Sequence, residues 1–311
     1  MNERSVARKH HYIPLGYLAA FTDSGTKDGQ FYVLDVGSRK AFRTSPSNVA
    51  AERDFNRVDI EGHSPDAVEN SLAPFEGEAV AAIRRVIKTR TYPSNNDWNY
   101  ILNLIALLAV RTPRFRKSFN RSRKQALRIR LDLLVSDEKI WEKHVQKAKE
   151  AGEDFPDASF EKFKSFIERG EFDFKFHPQE NLRSEFNAQD KVLSLFGQRD
   201  WSVLLAPENG PEFICSDHPV TLVWKKARNG PIGYGLRGTE VFFPLGPKVG
   251  FYGVYESPLK KLVNCHPRNI GIMNMRLCNG AEHHVYSTHE NFVIWYKGHL
   301  CNVSCNPTKD R

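Results

Sequence analysis

Apolar residues recur at helical spacing through the middle of the chain and at strand-like intervals towards both ends. Ser64-Pro65-Asp66 predicts a helix start, because serine can cap the first amides and proline suits the first turn. The helix that follows contains Pro74, which is expected to kink it. Ser94 to Asp97 predicts a second helix start, and the apolar residues after it lie on most faces of the helix. That second helix should therefore be buried.

The segment after Thr112-Pro113 predicts a separate basic helix, and helical spacing continues as far as Asp190. The inward stripe of the basic helix is predicted to be Phe115, Phe119, Ala126, Ile129 and Leu133. Beyond Trp201, short β-rich runs alternate with Gly, Pro and Asn turns, and a hairpin is predicted around Gly37-Ser38.

The pattern as a whole predicts an α+β fold, with a mainly helical centre packed on a mixed, mostly antiparallel sheet. We expect a single domain over residues 1–311. Its helical middle should span residues 64–195 and its β-rich C-terminal part residues 200–300.

Composition narrows the class of protein. Of the 311 residues, 40% are apolar and 12% aromatic, which indicates a folded core and excludes a disordered chain. No apolar run reaches the roughly 20 residues of a membrane span, and Met1 to His11 is polar and basic, unlike a signal peptide. The five cysteines form no regular framework, so we expect reduced thiols, no membrane association and a cytoplasmic location.

The positive charge is concentrated in one segment. The formal net charge is +8, and Arg111 to Arg130 contains nine basic residues without one acid, so the rest of the chain is near −1. Such a cationic helix predicts contact with the phosphates of nucleic acid or with another polyanion. The alternative is pairing with the acidic segment from Glu150 to Glu171. The candidate binding residues are Arg111, Arg114, Lys117, Arg121, Lys124 and Arg128.

Residues suited to acid–base chemistry or to metal binding form a second candidate site. His10 and His11 are adjacent, and in an extended segment one should reach a pocket while the other packs. Glu69 and Glu76 are seven residues apart on one helix face, about 10 Å along the axis. These acids either pair with Arg111 or Arg114, or join a histidine and Asp54 in a reactive site.

Asp217 belongs to the run Ser216-Asp217-His218-Pro219, which lies at a predicted turn between strands. Adjacent residues cannot relay protons as a catalytic triad does. Asp217 therefore either binds backbone amides at this turn or reaches the pocket of the N-terminal histidines.

Several spaced motifs occur together: His10-His11-Tyr12-Ile13-Pro14, Glu52-Arg53-Asp54-Phe55, Arg111-Thr112-Pro113-Arg114 and Phe213 to Val220. In this order they resemble the bacterial family known as domain of unknown function 4238, over roughly Lys9 to Ser287. The resemblance implies candidate positions rather than a reaction. Asn56 departs from the family pattern, which more often has an aromatic residue after the Asp-Phe pair.

Three functions are compatible with these features. The first is a hydrolase of phosphodiesters, directed at nucleic acid, in which His10, His11, Asp54, Glu69, Glu76 and Asp217 supply acid–base groups or ligands for Mg²⁺ or Mn²⁺. The second is a non-enzymatic nucleic-acid-binding or regulatory protein, and a component of bacterial conflict systems is a third, weaker reading. The phosphate-binding loop and the dinucleotide fingerprint are both missing, so no nucleotide cofactor is expected.

Overall fold

The computed structural model describes residues 8–153, 158–256 and 259–304. Within them, helices and separate sheets confirm the predicted α+β class. The helices are α1 (Leu15–Leu18), α2 (Ala67–Thr89), α3 (Asn95–Val110), α4 (Pro113–Leu134), α5 (Glu138–Glu150), α6 (Phe160–Arg169), α7 (Pro178–Gly197) and α8 (Pro267–Gly280). The strands are β1 (Lys9–His11), β2 (Phe31–Asp35), β3 (Ala41–Thr44), β4 (Ala51–Arg53), β5 (Asp200–Leu205), β6 (Cys215–Ser216), β7 (Thr221–Trp224), β8 (Thr239–Gly246), β9 (Val249–Val254), β10 (Leu262–Asn264), β11 (His284–Ser287), β12 (Asn291–Tyr296) and β13 (His299–Ser304).

The strands pair mainly in the antiparallel sense, as predicted. The largest sheet has the order β10-β5-β9-β8-β7, and its β10–β5 pair is parallel. A second sheet has the order β3-β2-β11-β6 and contains the predicted N-terminal hairpin, in which Phe31 lies opposite Thr44. Strands β1 and β4 form a two-stranded sheet, and β12 and β13 form another. No described helix is both long and apolar enough to cross a membrane.

Helices lie on both faces of the five-stranded sheet. The Trp98 ring of α3 lies 5.6 Å from that of Trp201 on β5 and 5.3 Å from that of Phe251 on β9. Because side chains alternate along a strand, Ser202 and Tyr252 face the opposite side, where α8 lies. Every residue of β8, a central strand, is therefore buried.

The predicted serine cap is present at the start of α3 but not at the start of α2. The Ser94 hydroxyl accepts the amide of Asp97, as predicted for the start of α3. The prediction of a serine cap at Ser64 is wrong, since α2 begins at Ala67 and Asp66 holds the cap position. Ser64 donates its hydroxyl to the Asp66 carboxylate instead, so this hydroxyl does not cap the helix amides. Pro74 lies inside α2, and its kink stays a prediction.

Backbone contacts divide the chain into two compact units. Unit 1 comprises the chain up to Arg114 and from Pro178 onwards, and unit 2 comprises Phe115–His177. Helices α2, α3 and α7 therefore belong with the sheets, so the helical middle is not one structural body. A single domain over residues 1–311 would fold as one cooperative unit. Contact units do not test this, so the single domain stays a prediction.

The predicted inward stripe of α4 is wrong over its C-terminal half. Three of its members are exposed: Ala126, Ile129 and Leu133. Within unit 2, residues 172–176 pack instead on arginine side chains of the helix. Helical spacing identified an apolar stripe on α4, but residues 172–176 cover a different face of the helix, the one with Arg123 and Arg128.

Candidate functional site

The two N-terminal histidines lie on β1, opposite Glu52 and Ala51 of β4. Their side chains alternate as expected for a strand: His10 is buried and His11 is half-buried. The Nε2 atom of His11 lies 3.3 Å from the carbonyl oxygen of Ser47. Because a carbonyl can only accept, this nitrogen must carry the hydrogen. The two imidazoles therefore do not face a common ligand.

The buried histidine belongs to a polar network that we call the His10 cluster. The backbone amide of Asn56 donates to His10 Nδ1 at 2.8 Å, and the Asn56 side-chain amide donates to Glu69 Oε2 at 2.6 Å. Nη2 of Arg111 donates to Glu76 Oε1 at 3.3 Å and to the backbone oxygen of His11 at 3.1 Å. The cluster thus ties β1 to α2 and to the end of α3. The predicted pairing of Glu76 with Arg111 is present, whereas Glu69 binds Asn56.

Burial controls the electrostatics of the His10 cluster and its neighbour His11. It raises the pKa of Glu76, an effect that the nearby Glu69 charge reinforces and that Arg111 opposes. It also lowers the pKa of His11. The Arg111 side chain is 2% exposed and that of Glu76 is 20% exposed, so solvent reaches the carboxyl and not the guanidinium. Glu76 is therefore the cluster carboxyl best placed to hold and exchange a proton.

Asp54 and Asp217 do not join the His10 cluster. The Asp54 carboxylate pairs with Arg8, and this contact lowers the pKa of Asp54. Asp217 accepts backbone amides from residues 282–284 at 2.6–3.0 Å, which fixes the chain at the start of β11. The backbone-binding alternative for Asp217 is therefore the one observed, although its partners lie 65 to 67 residues away rather than in its own turn.

Three buried polar groups near Asp217 were not singled out from the sequence. Burial raises the pKa of Tyr12, and the Asp217 charge reinforces this effect. The Tyr286 hydroxyl is buried and has no hydrogen-bond partner among the described residues. Burial lowers the pKa of His218 to about 4, so this imidazole is neutral at pH 7. Only the position of Tyr12 and His218 inside the two motifs could have drawn attention to them.

The His10 cluster does not fit a divalent metal ion. His10 Nδ1 accepts a hydrogen bond from a backbone amide, and Glu76 accepts one from Arg111. Two of the atoms that could bind a metal are therefore already in use. In the part of the chain that the structure describes, no group of three His, Cys, Asp or Glu side chains could hold an ion. The predicted Mg²⁺ or Mn²⁺ therefore has no ligand set in this cluster.

The six predicted nucleic-acid-binding residues lie in two different environments. Arg111 is buried and faces Glu76, so it offers no cation at the surface, and the prediction that it binds nucleic acid is wrong. Arg114 is exposed and donates to the carbonyl oxygen of Gly280 at 2.6 Å. The other four, Lys117, Arg121, Lys124 and Arg128, recur at four-, three- and four-residue steps on one face of α4 in unit 2.

Part of this cationic face lines a groove of about 420 Å³. Its walls are Lys117, Asn120, Arg121 and Lys124 from α4, together with Phe174 and Phe176. The aromatic rings of this groove come from a segment that follows α6 and not from α4 itself. Arg121 is exposed, and no carboxylate of the described chain lies within ion-pair distance of it. The Asn120 Oδ1 atom is buried without a partner in the same part of the chain.

Two other cations of this face, Lys124 and Arg128, make contacts within unit 2. Lys124 Nζ lies 2.6 Å from both carboxylate oxygens of Asp173, a residue just beyond the acidic segment considered above. Arg128 donates to the backbone oxygen of Ile167 at 2.8 Å, and its guanidinium lies 5.1 Å from the ring centre of Phe172. Intramolecular contacts therefore engage at least Lys124 and Arg128, whereas Arg121 has no carboxylate partner among the described residues.

A family model described as a protein of unknown function, DUF4238, matches residues 9–291. The chain belongs to the DUF4238 family. No curated protein and no solved structure matches it.

Within this DUF4238 protein, the motifs that suggested the family lie around the same part of unit 1. The His-His-Tyr-Ile-Pro run supplies His10, which the amide of Asn56 engages, and Tyr12, whose ring lies 5.6 Å from that of Phe55. Asn56, which departs from the family pattern, is fully buried and joins two chain segments. Its side-chain amide donates to Glu69, a contact that a phenylalanine at this position could not make.

Proposed function

We propose that the protein binds nucleic acid through the groove on α4. The observation that carries this proposal is the combination of Lys117, Arg121 and Lys124 with Phe174 and Phe176 along one groove. Cations attract the phosphate backbone without regard to sequence, and aromatic rings provide faces on which unpaired bases stack.

The internal ion pair in the groove does not prevent this binding. Asp173 is 68% exposed, and an ion pair as exposed as Lys124–Asp173 contributes little to stability, because water and salt screen it. A phosphate can therefore replace the Asp173 carboxylate at Lys124 with little loss. Arg121 needs no such exchange, since it has no carboxylate partner among the described residues.

The test compares two charge reversals on the same helix. Arg121 and Arg130 are nine residues apart, which places them on opposite faces of α4, and both are exposed. Fluorescence anisotropy with a labelled single-stranded 20-mer, from 50 to 300 mM salt, should show at least tenfold weaker binding for Arg121→Glu. Its salt slope should fall by about 1. Arg130→Glu should have a much smaller effect. No salt-sensitive binding by the wild type, or equal losses in both variants, would overturn the proposal.

A hydrolase acting on phosphodiesters at the His10 cluster is the second candidate. The observation that favours it is the carboxyl of Glu76, whose raised pKa and partial exposure suit a general acid. Glu76→Gln should then abolish hydrolysis of bis(p-nitrophenyl) phosphate while the melting temperature shows that the variant is folded. Turnover unchanged in the folded variant would exclude Glu76 from this role.

The cytoplasm is the compartment that we propose. Cys215 and Cys265 are buried free thiols. Burial raises the pKa of the Cys265 thiol to about 11, so it is neutral and unreactive at pH 7. Free cysteines of this kind are typical of proteins in a reducing compartment.

A further inference from the structure

A second cavity lies in unit 1, between α8 and the five-stranded sheet. Its volume is about 350 Å³. Four residues of α8 line it, spaced as on a single helix face: Asn269, Ile272, Met273 and Arg276. Leu204, Tyr252 and Val263 face them from three neighbouring strands. Ile270 and Leu277 of α8 share one hydrophobic core with Leu204 of β5, so the cavity is an open recess beside packed elements.

Most of the cavity wall is apolar, and its charged groups lie together at one end. There, Nη2 of Arg276 lies 2.6 Å from Glu240 Oε2, and the Tyr252 hydroxyl donates to Glu240 Oε1 at 2.5 Å. Arg276 and Glu240 are the only charged residues that line the cavity within the described chain, and their charges cancel. The wall therefore combines a mostly apolar lining with one ion pair whose charges cancel.

We propose that this cavity binds a small uncharged amphiphile, with an apolar body and one hydrogen-bonding group. The volume falls in the range of small-molecule sites, which are mostly apolar with a few polar groups that fix orientation. An anionic ligand would lie beside the buried Glu240 carboxylate, and a cationic one beside Arg276. Either would bury a charge without its own partner, and burial of an unpaired charge is strongly unfavourable. The site lies in unit 1 and does not depend on the nucleic-acid groove.

Two fluorophores with the same rings test the proposed ligand class. N-phenyl-1-naphthylamine is uncharged, whereas 1-anilinonaphthalene-8-sulfonate carries one negative charge. Titrated into the full-length protein, the uncharged probe should bind saturably and at least tenfold more tightly than the sulfonate. Absence of saturable binding by the uncharged probe, or equal binding of the two, would overturn the proposal.

Three tryptophan substitutions test the place of binding. Ile272→Trp fills the cavity from the helix and Val263→Trp from the sheet, while Asn279→Trp changes the exposed last turn of α8 as the control. Each filling variant should weaken binding of the uncharged probe at least tenfold, and the control should bind as the wild type does. Thermal melts identify the variants that fold. If Ile272→Trp does not fold, the probe affinity of Val263→Trp provides the test. Wild-type affinity in a folded filling variant would show that the probe binds elsewhere.

Discussion

The ion pair between Arg111 and Glu76 allows the His10 cluster to be tested through stability. Arg111→Met keeps most of the side-chain length but removes the cation beside Glu76 and the donor to the His11 carbonyl. Removing one partner of a buried ion pair commonly costs 3–5 kcal/mol, because the other charge remains buried. Glu76 is 20% exposed and can take up a proton, so we expect about 3 kcal/mol at pH 7, the low end of that range.

The cost should depend on pH in a direction that the structure determines. The pKa of Glu76 is already raised by burial, and loss of Arg111, which lowers it, raises it further. Between the unfolded and folded pKa values, the folded state then binds more protons than the unfolded state. The free energy of unfolding of Arg111→Met therefore falls as pH rises through this window. The variant should be less destabilised at pH 5 than at pH 7.

Urea denaturation provides the measurement, followed by tryptophan fluorescence, because Trp98 and Trp201 lie in the core of unit 1. The double variant Arg111→Met/Glu76→Gln removes both charges, so its cost should be less than the sum of the single costs by at least about 1 kcal/mol. A cost below about 1 kcal/mol for Arg111→Met at pH 7, far under that of a broken buried pair, would refute the reasoning. Equal costs at the two pH values, or strict additivity, would do so as well.

Three further predictions concern the other candidate residues. His218 has a folded pKa of about 4, below its unfolded value, so wild-type stability should fall as pH drops from 6.5 towards 4. His218→Gln should reduce this slope in urea melts, by up to about 1.4 kcal/mol per pH unit, and an unchanged slope would contradict the assignment. Asp217→Asn should lower the free energy of unfolding by about 3 kcal/mol, because an NH₂ group replaces an oxygen that accepts hydrogen bonds from backbone amides. A loss within about 0.5 kcal/mol, roughly that of a neutral surface change, would contradict this role of Asp217. Mn²⁺ or Mg²⁺ should not raise the melting temperature of wild type or of His11→Ala, since no described ligand set holds an ion, and a rise confined to wild type would restore the metal site.

Features that depend on neighbouring residues could be predicted from the sequence. Ser94 caps α3, the hairpin turns around Gly37-Ser38, and His10 and His11 point to opposite sides of a strand. Each follows from hydrogen bonds or side-chain periodicity within a few residues. The α+β class followed from the same signals, since helical and strand spacing occupy different parts of the chain.

Contacts between distant residues could not be predicted in this way. The amides that Asp217 binds lie more than 60 residues away, and those of Asn56 join it to β1 and α2. Phe174 and Phe176 line the cationic groove, although they lie about 50 residues beyond the cations of α4 in the sequence. The same spacing placed Ile129 and Leu133 in the interior, yet they are 52% and 61% exposed.

The sequence by itself determined which segments are helix or strand, that the charge is concentrated on α4, and which residue types could carry chemistry. Tertiary structure alone decided that Arg111 faces inward to Glu76, that Asp54 and Asp217 bind other partners, and that α8 and the sheet together line an open cavity. The physical reason is that periodicity fixes the direction of a side chain relative to its own helix or strand. The identity of the neighbour on that side depends on how the elements pack, and this decides whether a charge is buried, paired or exposed.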